Sequence, residues 1–231
     1  TQSTFSLLES TLKIDNIIEL AKANNMFAIC LADRKNLFAL LEFAISATES
    51  NIKPIHGSIV NISFNNKGKK DFAEILLIAK NEIGYLNLLK LVSFLYTKND
   101  RSVCEHITFE DLEAYNEGLV VLSGYADGVI GKFLLQNSYE SAIYAAKKFQ
   151  NVFGNRFYFE IMRHGYPEEK AIEQDYLAIA NELSVPLIAT NKVLFSDISM
   201  HDAHDVLMCI SQSVVRDEQN FFTQFTIKHN E

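Results

Sequence analysis

Cysteine is scarce in this sequence and follows no pattern that would indicate a bonded framework. Among 231 residues there are three cysteines, Cys30, Cys104 and Cys209, and none belongs to a Cys-x-x-Cys motif. A disulfide scaffold or a structural zinc site needs a larger and regularly spaced set. The scarcity argues against redox chemistry and predicts a protein of the reducing cytoplasm. A chain of this length buries roughly 70% of its unfolded surface, so it needs no covalent staples.

Long apolar runs are missing as well. The longest of them, such as residues 75–79 and 119–122, are far shorter than the roughly 20 residues that a membrane helix requires. Residues 1–8 show neither the basic segment nor the apolar core of a signal peptide. We therefore expect a soluble protein without a membrane partner.

Clustered positive charge is the third absence. The chain carries 21 Lys and Arg against 29 Asp and Glu, a formal charge of −8, and only residues 65–70 concentrate lysines. A nucleic-acid surface needs clustered cations, because neutralising phosphates releases the counterions that drive binding. We expect contact with DNA only through other parts of a larger protein.

Familiar catalytic signatures are absent too. The sequence contains neither a Gly-x-Gly-x-x-Gly motif nor a P-loop with its lysine, so nucleotide binding by either is unsupported. The Gly-x-Ser-x-Gly turn of a serine hydrolase is missing. Cys30 lies inside an apolar strand pattern, which indicates burial and not nucleophilic chemistry.

What the sequence does contain is a regular alternation of helical and strand patterns. Apolar residues at Ile14, Ile17, Ile18 and Ala21 have the spacing of a helix, and a short apolar strand follows. Six strands are predicted in this way, at residues 27–32, 55–64, 74–79, 119–122, 157–161 and 186–189. Strands separated by helices predict an α/β protein with a parallel sheet and right-handed crossovers.

The alternation continues over residues 1–231 without a linker rich in Pro, Gly or Ser, which predicts a single domain. Two architectures fit this pattern. Six strands are one short of a small closed barrel, whose missing strand would precede Thr1. An open doubly wound sheet is the alternative, and the pattern alone does not separate the two.

Capping residues and apolar spacing predict where individual helices begin and which face each one buries. The expected caps or first residues are Asn36, Thr108 with Asp111 at the third position, Pro167 and Ser199. The expected buried faces are Leu37, Leu40, Leu41, Ala44 and Ile45 in the second helix, and Tyr85, Leu88, Leu89 and Val92 in the third.

Chemistry in parallel α/β folds is carried by residues that directly follow the strands. The candidates at or near such places are Gln2, Glu9, Asp33, Arg34, Ile59, Glu74, Tyr125, His164, Lys192 and Leu194. A multinuclear metal site needs several His and carboxylate ligands, and this set offers too few. Glu9 and Glu74 are accompanied by two cations, Arg34 and Lys192. We therefore predict an internal ion-pair network at this end of the fold.

Four histidines are weaker candidates. His201 and His204 are three residues apart at a helix start and could share one face as metal ligands. The acidic residues beside them complement the helix dipole, and histidines bonded to backbone are the simpler interpretation. His56 and His164 follow strands next to a glycine, where a lone histidine is typical of a hydrogen-bonded wall residue.

Seven ordered blocks of the sequence resemble one known family. They are residues 3–10, 31–38, 53–57 (Lys-Pro-Ile-His-Gly), 79–93, 117–124, 189–191 (Ala-Thr-Asn) and 202–205 (Asp-Ala-His-Asp). In this order they resemble the N-terminal polymerase-and-histidinol-phosphatase (PHP) domain of bacterial DNA polymerase III alpha subunits, over essentially the whole chain. The resemblance implies a distorted seven-stranded (β/α) barrel, similar to a TIM barrel, with its first strand just upstream of Thr1. It also implies an N-terminal part of a larger polymerase subunit.

The resemblance further implies metal-ligand positions, and this chain departs from nearly all of them. Only Glu9 keeps ligand-like chemistry in its family role. The other positions, where the family has His, Glu, Cys or Asp, carry Gln2, Arg34, Ile59, Glu74, Tyr125, Lys192 and Leu194. Such replacements remove electron donors and add positive charge where cations would sit. We expect a degenerate site without a cofactor, in which Arg34 and Lys192 pair with Glu9 or Glu74.

The resemblance implies function at two levels. The whole subunit would be a DNA-directed DNA polymerase of the cytoplasmic bacterial replisome, with its catalytic residues for nucleotidyl transfer beyond this chain. This domain would be non-catalytic, a platform for the remaining polymerase domains and for the separate 3′-5′ proofreading exonuclease (epsilon) subunit. The sequence does not locate the docking surface, for which the loops around residues 65–71 and 97–105 are candidates.

Two rival interpretations stay open. One is an active metal-dependent phosphoesterase or intrinsic proofreading nuclease, which would hold about two or three metal ions per chain. The other is an unrelated, metal-free barrel enzyme in which Glu74 and Lys192 act as acid and base.

Overall fold

The computed structural model describes residues 1–64, 72–98 and 104–214. In chain order its elements are α1 (Ile14–Ala23), β1 (Ala28–Arg34), α2 (Leu40–Glu49), β2 (Lys53–Ser63), β3 (Phe72–Ala79), α3 (Glu82–Thr97), β4 (Ile107–Thr108), α4 (Phe109–Ala114), β5 (Leu119–Leu122), α5 (Val129–Leu135), α6 (Tyr139–Phe153), β6 (Phe157–Ile161), α7 (Pro167–Glu182), β7 (Leu187–Ala189) and α8 (His201–Gln212). The six predicted strands are all present, and the short β4 is an addition. No helix in the described ranges is long and apolar enough to cross a membrane.

Two compact units divide the described chain. The first contains Thr1–His56 and the described residues from Asn191 onward, and the second contains Gly57–Thr190. The second unit is thus inserted between two segments of the first. The two boundaries, at residues 56–57 and 190–191, have no Pro-, Gly- or Ser-rich linker in the sequence. The single domain over residues 1–231 stays a prediction.

The first unit has its own apolar core, in which α1 and α2 pack with β1. Ile17 and Ala21 of α1, Leu31 of β1 and Phe43 of α2 are at most 1% exposed. The buried face of α1 is the one that its apolar spacing predicts.

The second helix begins later than predicted. α2 starts at Leu40, and the preceding Ala39 provides no side-chain capping bond. The predicted cap, Asn36, accepts a hydrogen bond from the Phe38 N–H at 3.2 Å, so it stabilises the turn before the helix. Asn and Asp favour such local side-chain turns as readily as helix caps, which explains the misplaced start.

The later start also corrects the predicted buried face of α2. Leu40, Phe43 and Ala47 are the buried residues, with the spacing of one helix side. Leu41 and Ile45, which the sequence analysis placed in the core, are 74% and 51% exposed. Leu40 is buried and Leu37 packs against the core, as predicted. Leu41 and Ile45 were wrong, because both sides of this short helix are apolar and the side that carries Phe43 faces the core.

The first residues of the chain lie alongside β1. The amino group of Thr1 donates to the Cys30 C=O at 3.2 Å, and the Ala32 N–H donates to the Thr1 C=O at 2.9 Å. One residue bonded to two alternate residues of its neighbour is the pattern of a parallel ladder. Thr1 therefore pairs with β1 as part of a parallel strand would.

The second unit contains a mixed sheet, which corrects the expected parallel one. β2 pairs antiparallel with β3, and β3 pairs antiparallel with β5. β5, β6 and β7 follow in parallel, and β4 is parallel to the end of β2. The reason is the short connection between Ser63 and Phe72, since a parallel crossover needs a dozen or more residues. The candidate docking loop at 65–71 in this connection lies outside the described residues, as do residues 99–103 of the other loop.

α3 buries two of its four predicted residues, Leu88 and Val92, and exposes the other two. Leu88, Leu91 and Leu95 are fully buried, whereas Tyr85 and Leu89 are more than a third exposed. Nearly all turns of this helix carry apolar residues on both sides, so its spacing does not define a single stripe. Packing against β3, β4 and β5 decides which side is buried.

Helix starts were predicted with mixed success. Thr108 and Asp111 form the expected capping box, and α7 begins at Pro167 as predicted. Ser199 is wrong as a cap: it lies inside a 3₁₀ turn whose cap is Asp197, and α8 begins after that turn. The Ser199 N–H donates to Asp197 Oδ1 at 2.9 Å, because a carboxylate is the stronger acceptor at this turn.

Candidate functional site

The eight positions that the resemblance implies belong to both units. Gln2, Glu9, Arg34, Lys192 and Leu194 are in the first unit, and Ile59, Glu74 and Tyr125 are in the second. Each unit therefore has its own set of side chains at these positions.

Arg34, the last residue of β1, forms an ion pair with Glu9. Its Nε donates to Glu9 Oε2 at 2.9 Å, and the two side chains are 20% and 27% exposed. The Arg34 N–H donates to Ser6 Oγ at 3.1 Å, which fixes the end of β1 against the turn that leads to Glu9. This pairing was predicted and is confirmed, whereas the pairing of Lys192 with Glu9 or Glu74 stays a prediction.

Asp33 is the buried centre of the same turn. Its carboxylate accepts hydrogen bonds from the Ser3 N–H at 2.6 Å and from the hydroxyls of Ser3 and Ser6, both at 2.7 Å. The residue is 2% exposed. Bonds to a buried carboxylate are charge-assisted and strong. They hold residues 3–6 against β1 and so bring Glu9 within reach of Arg34.

Gln2 points to the same side of the strands as Arg34. Because Thr1 pairs with β1 as a parallel strand, Gln2 is opposite Ala32, and alternation along β1 puts Ala32 and Arg34 on one face. Ser3 bonds to the carboxylate on the other face, as the same alternation requires. The Gln2 amide is buried, and within the described part of the chain neither its oxygen nor its nitrogen has a hydrogen-bond partner.

Leu194 contributes its backbone to this region. Its C=O accepts a hydrogen bond from the Thr11 N–H at 2.9 Å and lies 3.0 Å from Ser10 Oγ. Ser10 Oγ is also 3.0 Å from the Gln2 C=O. The turn after Glu9 is thereby tied to the segment that follows β7. Backbone bonds place no demand on the side chain at 194, so a leucine is acceptable where the family has a ligand.

His204 behaves as the backbone-bonded histidine that the sequence analysis preferred. Its Nε2 lies 2.9 Å from the Glu9 C=O. Burial lowers the pKa of His204, the bond to Glu9 opposes that shift, and the nearby His201 lowers the pKa further. His56 is packed edge-on against Phe43, with ring centroids 6.1 Å apart, and burial lowers its pKa as well. Both imidazoles therefore favour the neutral form.

Tyr125, in the second unit, occupies the position of the family's cysteine. It is 1% exposed, donates its hydroxyl to the Glu169 C=O at 3.3 Å and packs edge-on against Tyr176. Burial, helped by Glu173 and Glu169, raises the pKa of Tyr125 to about 12. The phenol is thus a neutral core donor and not an anionic ligand.

Ile59 and Glu74 lie on neighbouring strands of the second unit. In the β2–β3 ladder Ile59 is opposite Leu76, and Glu74 is opposite Asn61. Alternation places these four side chains on one face, so Ile59 and Glu74 are diagonal neighbours there. An aliphatic side chain at 59 offers no electron pair to a cation.

Sequence reasoning missed a buried carboxylate in the second unit. Glu160 of β6 is 3% exposed, and its oxygens accept hydrogen bonds from Thr190 Oγ1 at 2.6 Å and from the Gly124 N–H at 3.1 Å. Its own N–H donates to Ser123 Oγ, which also bonds to the Tyr176 hydroxyl. Burial raises the pKa of Glu160, and these donors only partly oppose it. The sequence feature that could have identified Glu160 is an acidic residue inside an otherwise apolar strand pattern.

His164 is a wall residue held by a second buried acid. Its Nδ1 lies 2.9 Å from Glu169 Oε1, while Glu169 Oε2 accepts from the N–H groups of Gly165 at 3.0 Å and Tyr166 at 3.3 Å. Glu169 thus caps the start of α7 and fixes the imidazole at the same time. This matches the hydrogen-bonded role predicted for His164.

The residues at the eight positions do not fit a metal centre. Within the described ranges, no group of three or more His, Cys, Asp or Glu side chains could hold a metal ion. Arg34 and Lys192 are cationic side chains, Ile59 and Leu194 have no donor atom, and Tyr125 is a buried neutral phenol. Divalent ions need several anionic or imidazole ligands. That the protein binds no metal in solution stays a prediction.

Comparisons with known proteins identify what the chain is similar to. The sequence pattern of the PHP domain matches residues 1–164. The DNA polymerase III subunit alpha of Rickettsia felis is 57% identical over 217 residues, which cover 94% of this chain and 18% of that protein. The protein of the same name from Caulobacter vibrioides is 36% identical over 228 residues, 96% of this chain and 20% of that protein. The chain spans about a fifth of the length of the curated relatives it matches.

A solved structure with low sequence identity to this chain has a similar fold. An amidohydrolase from Chromobacterium violaceum, solved with bound sulfate and no metal, superposes with a TM-score of 0.55 at 11% identity, covering 84% of this chain and 86% of that one. At this identity the likeness shows the fold alone. The predicted class, an α/β fold of the distorted (β/α)-barrel type, is confirmed.

Proposed function

The chain belongs to the PHP domain family, and from this premise we propose that it is the non-catalytic PHP domain of a DNA polymerase III alpha subunit. In this proposal the whole subunit is a DNA-directed DNA polymerase of the cytoplasmic replisome, and the domain is a platform. It supports the remaining polymerase domains and docks the separate 3′-5′ proofreading exonuclease (epsilon) subunit. DNA is contacted only through the full-length protein.

The polymerase assignment is supported by the relatives named DNA polymerase III subunit alpha, which match nearly all of this chain. Because the chain spans about a fifth of their length, nucleotidyl transfer would be carried out by the other parts of the polypeptide. Primer extension by the full-length protein tests this level of the proposal. A purified full-length protein that extends no primer would contradict it.

One observation carries the non-catalytic role: the Arg34–Glu9 ion pair at 2.9 Å. Glu9 is the carboxylate that keeps its family role, and its partner is a guanidinium at a position where the family has a histidine. Arginine stays protonated at all physiological pH values and cannot donate an electron pair to a metal. The arrangement supports a site whose negative charge is balanced from within the chain.

Elemental analysis separates the platform from its main rival, an active metal-dependent phosphoesterase or nuclease. The full-length protein is purified without chelator and incubated with zinc or manganese before desalting. We expect no stoichiometric metal in this domain, whereas about two or three ions per chain would favour the rival. Because a polymerase centre can also bind metal, the same protein carrying Glu9→Gln is the matched control: its metal content should be unchanged.

The other rival, a metal-free enzyme that uses Glu74 and Lys192, makes its own prediction. Such an enzyme would show a pH-dependent activity that Lys192→Ala abolishes. The platform proposal expects no such activity. It expects instead that the full-length protein retains the exonuclease subunit of the same organism on size-exclusion chromatography. Clean separation of the two proteins at micromolar concentration would contradict docking.

A further inference from the structure

We draw no further inference here: the strongest candidate, the exposed apolar side of α2 at Leu41 and Ile45, carries nothing, because nothing in the described ranges shows what covers it.

Discussion

Glu9 of the first unit and Glu160 of the second unit are held in different ways. In the first unit Glu9 is partly exposed and is paired with a cation, Arg34, at 2.9 Å. In the second unit Glu160 is 3% exposed and is held by the neutral donors Thr190 and Gly124. A partly exposed ion pair gains little energy because water already solvates both charges. A buried carboxylate held by neutral donors pays a large desolvation cost, which is why burial raises the pKa of Glu160. Burial and ion pairing therefore contribute separately to the free-energy cost of keeping a carboxylate ionised in the folded protein.

A third carboxylate, Asp33 of the first unit, extends this comparison. Its substitution should have the largest effect on the free energy of unfolding. It is as buried as Glu160 but accepts three short hydrogen bonds inside the first unit. Asp33→Ala leaves the Ser3 N–H and two hydroxyls without their acceptor, and we expect a loss of about 3 to 5 kcal/mol in the free energy of unfolding. Urea unfolding followed by circular dichroism measures it. Asp33→Asn is the control and should cost less, because one acceptor oxygen remains.

The Asp33 result can contradict the comparison directly. If Asp33→Ala costs less than about 1 kcal/mol, three bonds to a buried carboxylate do not anchor the turn. The position of Glu9 beside Arg34 would then need another explanation.

Substitution of Glu160 should have a smaller effect on the free energy of unfolding, and this effect should depend on pH. Its folded-state pKa is raised above the ordinary value of 4.5, so the native state holds the proton more tightly than the unfolded chain. Its contribution to stability is therefore fully present below about pH 4.5 and is lost as the pH rises through the native pKa. We expect Glu160→Gln to match the wild type at low pH and to become the more stable protein towards neutral pH.

Thermal unfolding of Glu160→Gln and the wild type at a series of pH values measures this difference. The gap should grow by about 1.4 kcal/mol for each unit by which the native pKa exceeds the unfolded one. Glu160→Ala, which also removes the contacts with Thr190 and Gly124, should cost about 2 to 3 kcal/mol. A difference that is constant with pH would mean that burial does not raise the pKa of Glu160.

Breaking the Arg34–Glu9 pair should have the smallest effect on the free energy of unfolding. Arg34→Gln, Glu9→Gln and the double variant form a thermodynamic cycle whose coupling energy isolates the pair. We expect about 0.5 to 1 kcal/mol, reduced further at high salt, because both side chains are partly exposed. A coupling energy above about 2 kcal/mol would show that the pair behaves as a buried one, and the difference between Glu9 and Glu160 would disappear.

The sequence predicted the local structure well where one signal acted alone. The strand at residues 157–161, the capping box of Thr108 and Asp111, and the helix start at Pro167 agree with the structure. It failed where two signals competed. α2 and α3 are apolar on both sides, so spacing alone chose some wrong members of each buried face. Asn36 and Ser199 were turn residues that resembled caps.

The sequence predicted which residues belong to the candidate site, but it did not predict most of the contacts between them. The family blocks marked Glu9 and Arg34, and opposite charges suggested their pairing. The role of Asp33 and the network around Glu160 could not be deduced, because their partners are 27 to 37 residues away in sequence.

The sequence by itself determined the α/β class, the family blocks and the residue types at the family's ligand positions, because these depend on which residues are present and in what order. Only the tertiary structure decided which side of α3 is exposed and that Asp33 fixes the turn before Glu9. Those outcomes depend on contacts between distant segments, and a contact exists only once both segments have folded.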